Sequence, residues 1–136
     1  MKASWFYRAA AVLLMLFAAG HTFGFSQTDP SMGIDAMLAA MRSIHFDAMG
    51  FSRTYWDFFM GAGLTVGLCY LFAAVLAWQL GALPGPALGF TRWAFAACFA
   101  GVAVVSWLYL FAIPIAFSVA ITVCLALGAW LARKPA

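Results

Sequence analysis

Trp93–Ala132 reads WAFAACFAGVAVVSWLYLFAIPIAFSVAITVCLALGAWLA, forty consecutive residues without a charged side chain. As one α-helix this stretch would be about 60 Å long, twice the roughly 30 Å hydrocarbon core of a bilayer. It must double back, and Pro114 marks the place. Proline has no backbone N–H and crowds the turn before it, so it suits the first turn of a new helix and opposes continuing an old one. Two further charge-free runs lie upstream, Ala9–Thr28 with 20 residues and Phe58–Thr91 with 34. The first holds one span. The second holds one span followed by Gly81-Ala82-Leu83-Pro84-Gly85-Pro86, a turn signal.

These runs predict an all-α fold, a four-helix transmembrane bundle forming a single integral membrane domain over residues 1–136. The spans are expected at about 5–25, 55–80, 88–111 and 114–131. The strands of a β-barrel would alternate polar and apolar residues, and these runs are continuous. Composition agrees: of 136 residues, 67% are hydrophobic and 8% charged, and mean hydropathy is +1.00. A soluble domain carries about a quarter charged residues. Water-soluble folds, disorder, coiled coil and nucleic-acid binding are excluded.

Net charge is +3, and the basic residues report orientation. With four spans, Lys2, Arg8, Arg92, Arg133 and Lys134 fall on one side. Arg42 and Arg53 fall on the other, balanced by Asp29, Asp35, Asp47 and Asp57. The positive-inside rule places both termini in the cytoplasm and residues 26–54 outside. Tryptophan, which favours membrane interfaces, agrees independently. Trp5, Trp78, Trp93 and Trp130 lie at expected inner ends, and Trp56 and Trp107 at outer ends. Lys2 and Arg8 followed by Ala9–Ala19 also have the form of a signal peptide, with Ala18-Ala19-Gly20 as a cleavage site. The apolar stretch runs on through Phe25, long enough to span, and is read as an uncleaved helix.

The external segment opens with Asp29-Pro30, an N-cap followed by proline at the first helical position. Met32, Met37, Leu38, Met41 and Ile44 then form one stripe, predicting an external amphipathic helix between helices 1 and 2. Each span also carries a small-xxx-small pair of the kind that lets helices approach in lipid. These are Gly20/Gly24, Gly63/Gly67, Ala97/Gly101 and Ala116/Ala120.

Candidate chemistry is sparse. Cys69, Cys98 and Cys124 all fall in spans, odd in number and with no C-x-x-C pair, which argues against thiol–disulfide exchange. No zinc spacing exists, and no metal site is expected. The chain has no glutamate and no Lys or Arg in the middle of a span, excluding pumps built on buried carboxylates and voltage sensors. Central polar residues are Thr65, Tyr70, Ser118 and Thr122, whose hydroxyls are expected to bond back to their own helices where they can.

What remains gathers at the outer end. His21 and Asp57 are the candidate catalytic pair, one able to move a proton and the other to orient it. Arg53, Tyr55, His45 and Tyr109 are candidate ligand-binding residues, with Arg53 suited to an anionic head group. A structural alternative stands beside each. Thr54-x-x-Asp57 has the spacing of a capping box, Arg53 suits an interfacial anchor, and His21 needs a hydrogen bond to Asp57 or a loop carbonyl. For His21 the structural bond is preferred to catalysis. Haem is disfavoured because only His21 lies within a span, and no cofactor is expected.

Gly20-His21-Thr22-Phe23-Gly24-Phe25, then Arg53-Thr54-Tyr55-Trp56-Asp57-Phe58-Phe59 running into Gly61-Ala62-Gly63-Leu64, and Ala77-Trp78-Gln79-Leu80, resemble an uncharacterised family of small four-span bacterial integral membrane proteins. The resemblance covers about the first 80 residues. It implies the four-helix architecture and a bacterial cytoplasmic (inner) membrane, and it supplies no activity. The expected partners are membrane lipids, with a lipophilic small molecule or a membrane protein as the specific one. The functional expectation is a binding protein rather than an enzyme. The alternatives are a His/Asp enzyme acting on a lipid-like substrate at the outer interface and a haem- or quinone-associated subunit.

Overall fold

The computed structural model describes residues 2–83 and 88–133. Among them are five α-helices and one two-stranded hairpin: α1 (Ala3–Gly24), α2 (Asp35–Ser43), β1 (His45–Ala48), β2 (Phe51–Thr54), α3 (Tyr55–Ala82), α4 (Gly89–Tyr109) and α5 (Ala112–Leu131). A 3₁₀ turn at Pro30–Met32 precedes α2. Four helices, α1, α3, α4 and α5, are long and apolar enough to cross a membrane. Their ends fall within a few residues of the expected spans. Every tryptophan lies within a little over one turn of an end of its helix. The Pro84-Gly85-Pro86 part of the expected turn, and Lys134, lie outside the described residues.

The forty-residue stretch does double back. α4 ends at Tyr109, Leu110 and Phe111 are both extended, and α5 begins at Ala112. The break comes slightly before Pro114, which sits in the first turn of α5 where its missing N–H costs nothing. The two helices pack against each other.

By contacts the chain divides into two compact units, and the division falls inside α1 and α3. The first unit comprises Met1–Phe17 and Tyr70–Ala136. Its core is one apolar cluster including Tyr7, Ala10, Leu14, Ala77, Phe99, Ile121 and Leu125. Small residues make this close approach possible. Tyr7 shows the tightest fit to glycine within this unit: a Cβ on Gly128 would lie 2.8 Å from its ring, and one on Gly81 2.9 Å from its Cβ. Tyr70, the one centrally placed tyrosine, packs among aromatic rings, with centroids 4.4 Å from Phe17 and 5.7 Å from Phe99. The expected back-bonding holds for both hydroxyls of α5, with Ser118 Oγ donating to Ile115 and Thr122 Oγ1 to Ser118.

Arg92 was expected only as an orientation charge. It is 4% exposed, and its Nη2 donates to the carbonyls of Leu80 (3.2 Å) and Leu83 (2.8 Å) at the end of α3. The reason lies in the sequence. Leu80 in a continuing helix would accept from residue 84, which is proline and has no N–H to give. A guanidinium at a helix C-terminus also complements the carbonyl dipoles there.

The second unit is Ala18–Cys69, and the helix between the first two spans starts later in it than Asp29-Pro30 suggested. Asp29 does cap a helical turn with Pro30 at its first position, accepting from the Ser31 N–H at 2.8 Å. That bond holds the Asp29 carboxyl below its usual pKa range. But Gly33, at φ 66°, ends the turn after three residues, and α2 starts afresh at Asp35. Of the expected stripe, only Leu38 is buried and Met41 half-buried. Met32 precedes the helix and Ile44 follows it. The remainder is a hairpin that sequence reasoning missed, paired from His45↔Thr54 to Ala48↔Phe51.

Met49 and Gly50 form its two-residue turn, both with positive φ, 55° and 90°. Such turns match strand twist and prefer Asn-Gly or Asp-Gly. Asp47 Oδ1 supports this one by accepting from Gly50 N at 2.7 Å. Met49 is strained there and 97% exposed, so it has no packing to lose. Met49→Asn should therefore stabilise the hairpin by about 0.5–1 kcal/mol, read as slower amide exchange at Phe51 and Arg53.

Candidate functional site

Five of the six candidate residues, His21, His45, Arg53, Tyr55 and Asp57, lie in the Ala18–Cys69 unit. Tyr109 ends α4 in the other unit, where its side chain is exposed.

His21 Nε2 lies 2.9 Å from the carbonyl oxygen of Gly63 on α3. A carbonyl can only accept, so Nε2 carries the proton and donates it. The imidazole is stacked on Phe25, with centroids 5.2 Å apart and planes at 15°. Gly63 is what lets α1 come this close: a Cβ there would collide with the Phe25 ring. One turn on, a Cβ at Gly67 would stand 2.5 Å from Thr22 Oγ1. The Gly63/Gly67 pair is thus a packing face, filled by Thr22 of α1 and by Phe25 just past its end. Gly20, Gly24 and Gly101 have nothing within 4 Å of a built Cβ, so their pairs do not serve in this way. Gly63→Ala should lower the stability of this unit by about 1–3 kcal/mol, visible as a lower thermal midpoint in detergent, with Gly20→Ala unchanged as control.

From Phe25 a run of rings continues along α3. Phe25 lies 5.5 Å from Phe59, and Phe59 lies 5.4 Å from Trp56. The Arg42 guanidinium sits 4.1 Å from the centre of the Trp56 ring, tying α2 to α3. On the hairpin, Phe46 meets Tyr55 at 5.0 Å and Phe58 at 5.8 Å. The ring path was not anticipated, although every member except Phe46 lies in GHTFGF or RTYWDFF.

Asp57 forms the capping box that its spacing implied. Its Oδ2 accepts from Thr54 N (2.8 Å) and Thr54 Oγ1 (3.0 Å), and its own N–H donates to Thr54 Oγ1 (3.2 Å). This satisfies donors at the start of α3 and puts a negative charge at the positive end of the helix dipole. Arg53 and His45 lie within electrostatic reach of that carboxylate. Arg53 Nη1 donates to Ser52 O at 3.1 Å, and His45 Nδ1 bonds to Ser43 O at 3.1 Å; both side chains are exposed. Tyr55 is also exposed.

A shallow depression of about 400 Å³ is lined by His45, Phe46, Asp47, Gly50 and Ser52. It is open to the surface and contains neither His21 nor Asp57. Among the described residues, no three His, Cys or Asp side chains converge as a metal site would need. The site thus consists of a packed joint around His21 and Gly63, and a capped hairpin-to-helix junction around Asp57, Arg53 and His45. No protein family matches this chain, and neither a curated protein nor a solved structure is detectably similar to it.

Proposed function

We propose that this chain is a multi-pass protein of a bacterial cytoplasmic membrane that binds a lipophilic ligand rather than transforming one. In this reading the spans form a four-helix bundle, both termini are cytoplasmic and residues 26–54 lie outside. It belongs with the small four-span proteins that its GHTFGF and RTYWDFF motifs resemble. The observation that carries the reading is the bonding of the two candidate catalytic groups. His21 donates to a helix carbonyl and Asp57 caps a helix, both of them scaffold roles.

The apolar flanks of the spans support it. Leu68, Phe72 and Val75 on α3, and Val104, Trp107 and Leu108 on α4, are exposed large hydrophobic residues. Surface of that kind is stable only against lipid or another apolar body. A second reading, as the subunit of a membrane complex, is favoured by Ile44, Met49 and Phe51, which stand exposed between the first two spans.

Mass spectrometry of what copurifies in mild detergent tests the assignment. A recurring lipid or quinone is the expected result, and a stoichiometric protein would favour the subunit reading. Turnover of a lipid-like substrate, abolished in both His21→Ala and Asp57→Ala, would restore the enzyme. A Soret band in the purified protein would establish haem.

A further inference from the structure

The first unit carries a groove between α1 and α3, about 240 Å³ in volume, lined by Ala11, Met15, Ala74, Val75, Trp78 and Gln79. Its polarity is graded. Arg8, Ala11 and Met15 succeed one another at spacings of three and four, so they lie along one face of α1. On α3, Gln79 lies one turn from Val75, and Trp78 one turn from Ala74. Because these faces border one groove, Trp78 and Gln79 stand at the Arg8 end, and the floor beyond them is methyl and thioether. The Arg8 guanidinium is held 5.4 Å from the centre of the Trp78 ring, so a positive charge stands beside one of the residues that line the groove. No acidic side chain answers it: α1 has none, and the single one on α3, Asp57, begins the opposite end of that helix.

We propose that this groove holds one acyl chain of an anionic phospholipid, whose phosphate is bound at Arg8 beside Gln79. The proposal rests on the lipophilic-ligand reading above and names the ligand's class. Charge complementarity selects the occupant. A guanidinium presents paired donors that match phosphate oxygens, and a carboxamide adds a further donor. Tryptophan at this level suits the head-group region, with the apolar trough descending from it. A neutral lipophile would fill the trough and leave Arg8 unanswered.

The test uses the full chain in vesicles of equal phosphatidylcholine and phosphatidylglycerol, extracted gently and examined by native mass spectrometry. The wild-type protein is expected to retain one phosphatidylglycerol in about fivefold preference over phosphatidylcholine, the effect of one basic residue on an anionic lipid. Arg8→Gln should keep a bound lipid but lose the preference. Val75→Phe, on an exposed wall of the groove, should lose the lipid with its helical circular dichroism unchanged. Equal retention of both lipids by the wild type, a preference that survives Arg8→Gln, or full retention by Val75→Phe would each overturn the proposal. A neutral lipophile bound regardless of Arg8 would do so too while leaving the binding role intact, and a protein that retains no small molecule would lose both.

Discussion

Tyr7→Ala is expected to lower the stability of the protein by about 3–5 kcal/mol, the range for emptying an aromatic site in a packed core. Tyr7 is 1% exposed and sits where α1, α3 and α5 come together, against Gly81 and Gly128. Because two glycines shape the slot, neighbours have few side-chain atoms with which to refill it, and the cost belongs at the upper end. The companion variant has the opposite sign. The Tyr7 hydroxyl is buried with no hydrogen-bond partner among the described residues, and an unmade bond of this kind costs about 1–3 kcal/mol. Tyr7→Phe keeps the ring and removes the oxygen, so its unfolding midpoint in detergent should rise. A fall on both substitutions would mean that the hydroxyl has a partner, and would reverse this account of it.

Arg92→Ala should cost about 3 kcal/mol or more, because two charge-assisted bonds go and the carbonyls they served stay in an apolar setting. Leu80 O is the sensitive one, since Pro84 cannot replace the lost donor. Arg92→Lys should recover only part of the loss: an ammonium keeps the charge but not the planar fork. Arg133, equally basic and exposed, provides the contrast. Its guanidinium lies 4.7 Å from the centre of the Trp93 ring, and its alanine variant should cost no more than about 1 kcal/mol. Denaturation in mixed micelles, followed by tryptophan fluorescence, measures all three.

The spans were legible because their signal is length. A run of twenty or more apolar residues tolerates an error of two at either end and still names a helix. The capping box was legible because its partners are three residues apart and its chemistry is local. The hairpin was not. Its strands are four residues each, its turn uses Met49 where asparagine or aspartate would have announced it, and the methionines around it imitate a helical stripe. Asp47-x-x-Gly50 was the available clue. Nor could the partner of His21 be read, since a backbone carbonyl 42 residues away leaves no mark in a sequence. The bonds of Arg92 were hidden for a related reason: a charge counts the same whether it faces water or closes a helix.

Leu110 and Phe111, the whole connection between α4 and α5, bear on how the protein is made. A polar loop must be dragged through the bilayer before the helix behind it can settle. Here the bend has two apolar side chains and a partly satisfied backbone: Leu110 N–H donates to Ser106 O, and Phe111 O accepts from Ile115 N–H. The two helices can enter as a closed pair, already in contact, with the bend travelling across as a blunt apolar tip. No charged side chain lies between Arg92 and Arg133, so the tip of the pair carries no charge into the bilayer from whichever side it inserts.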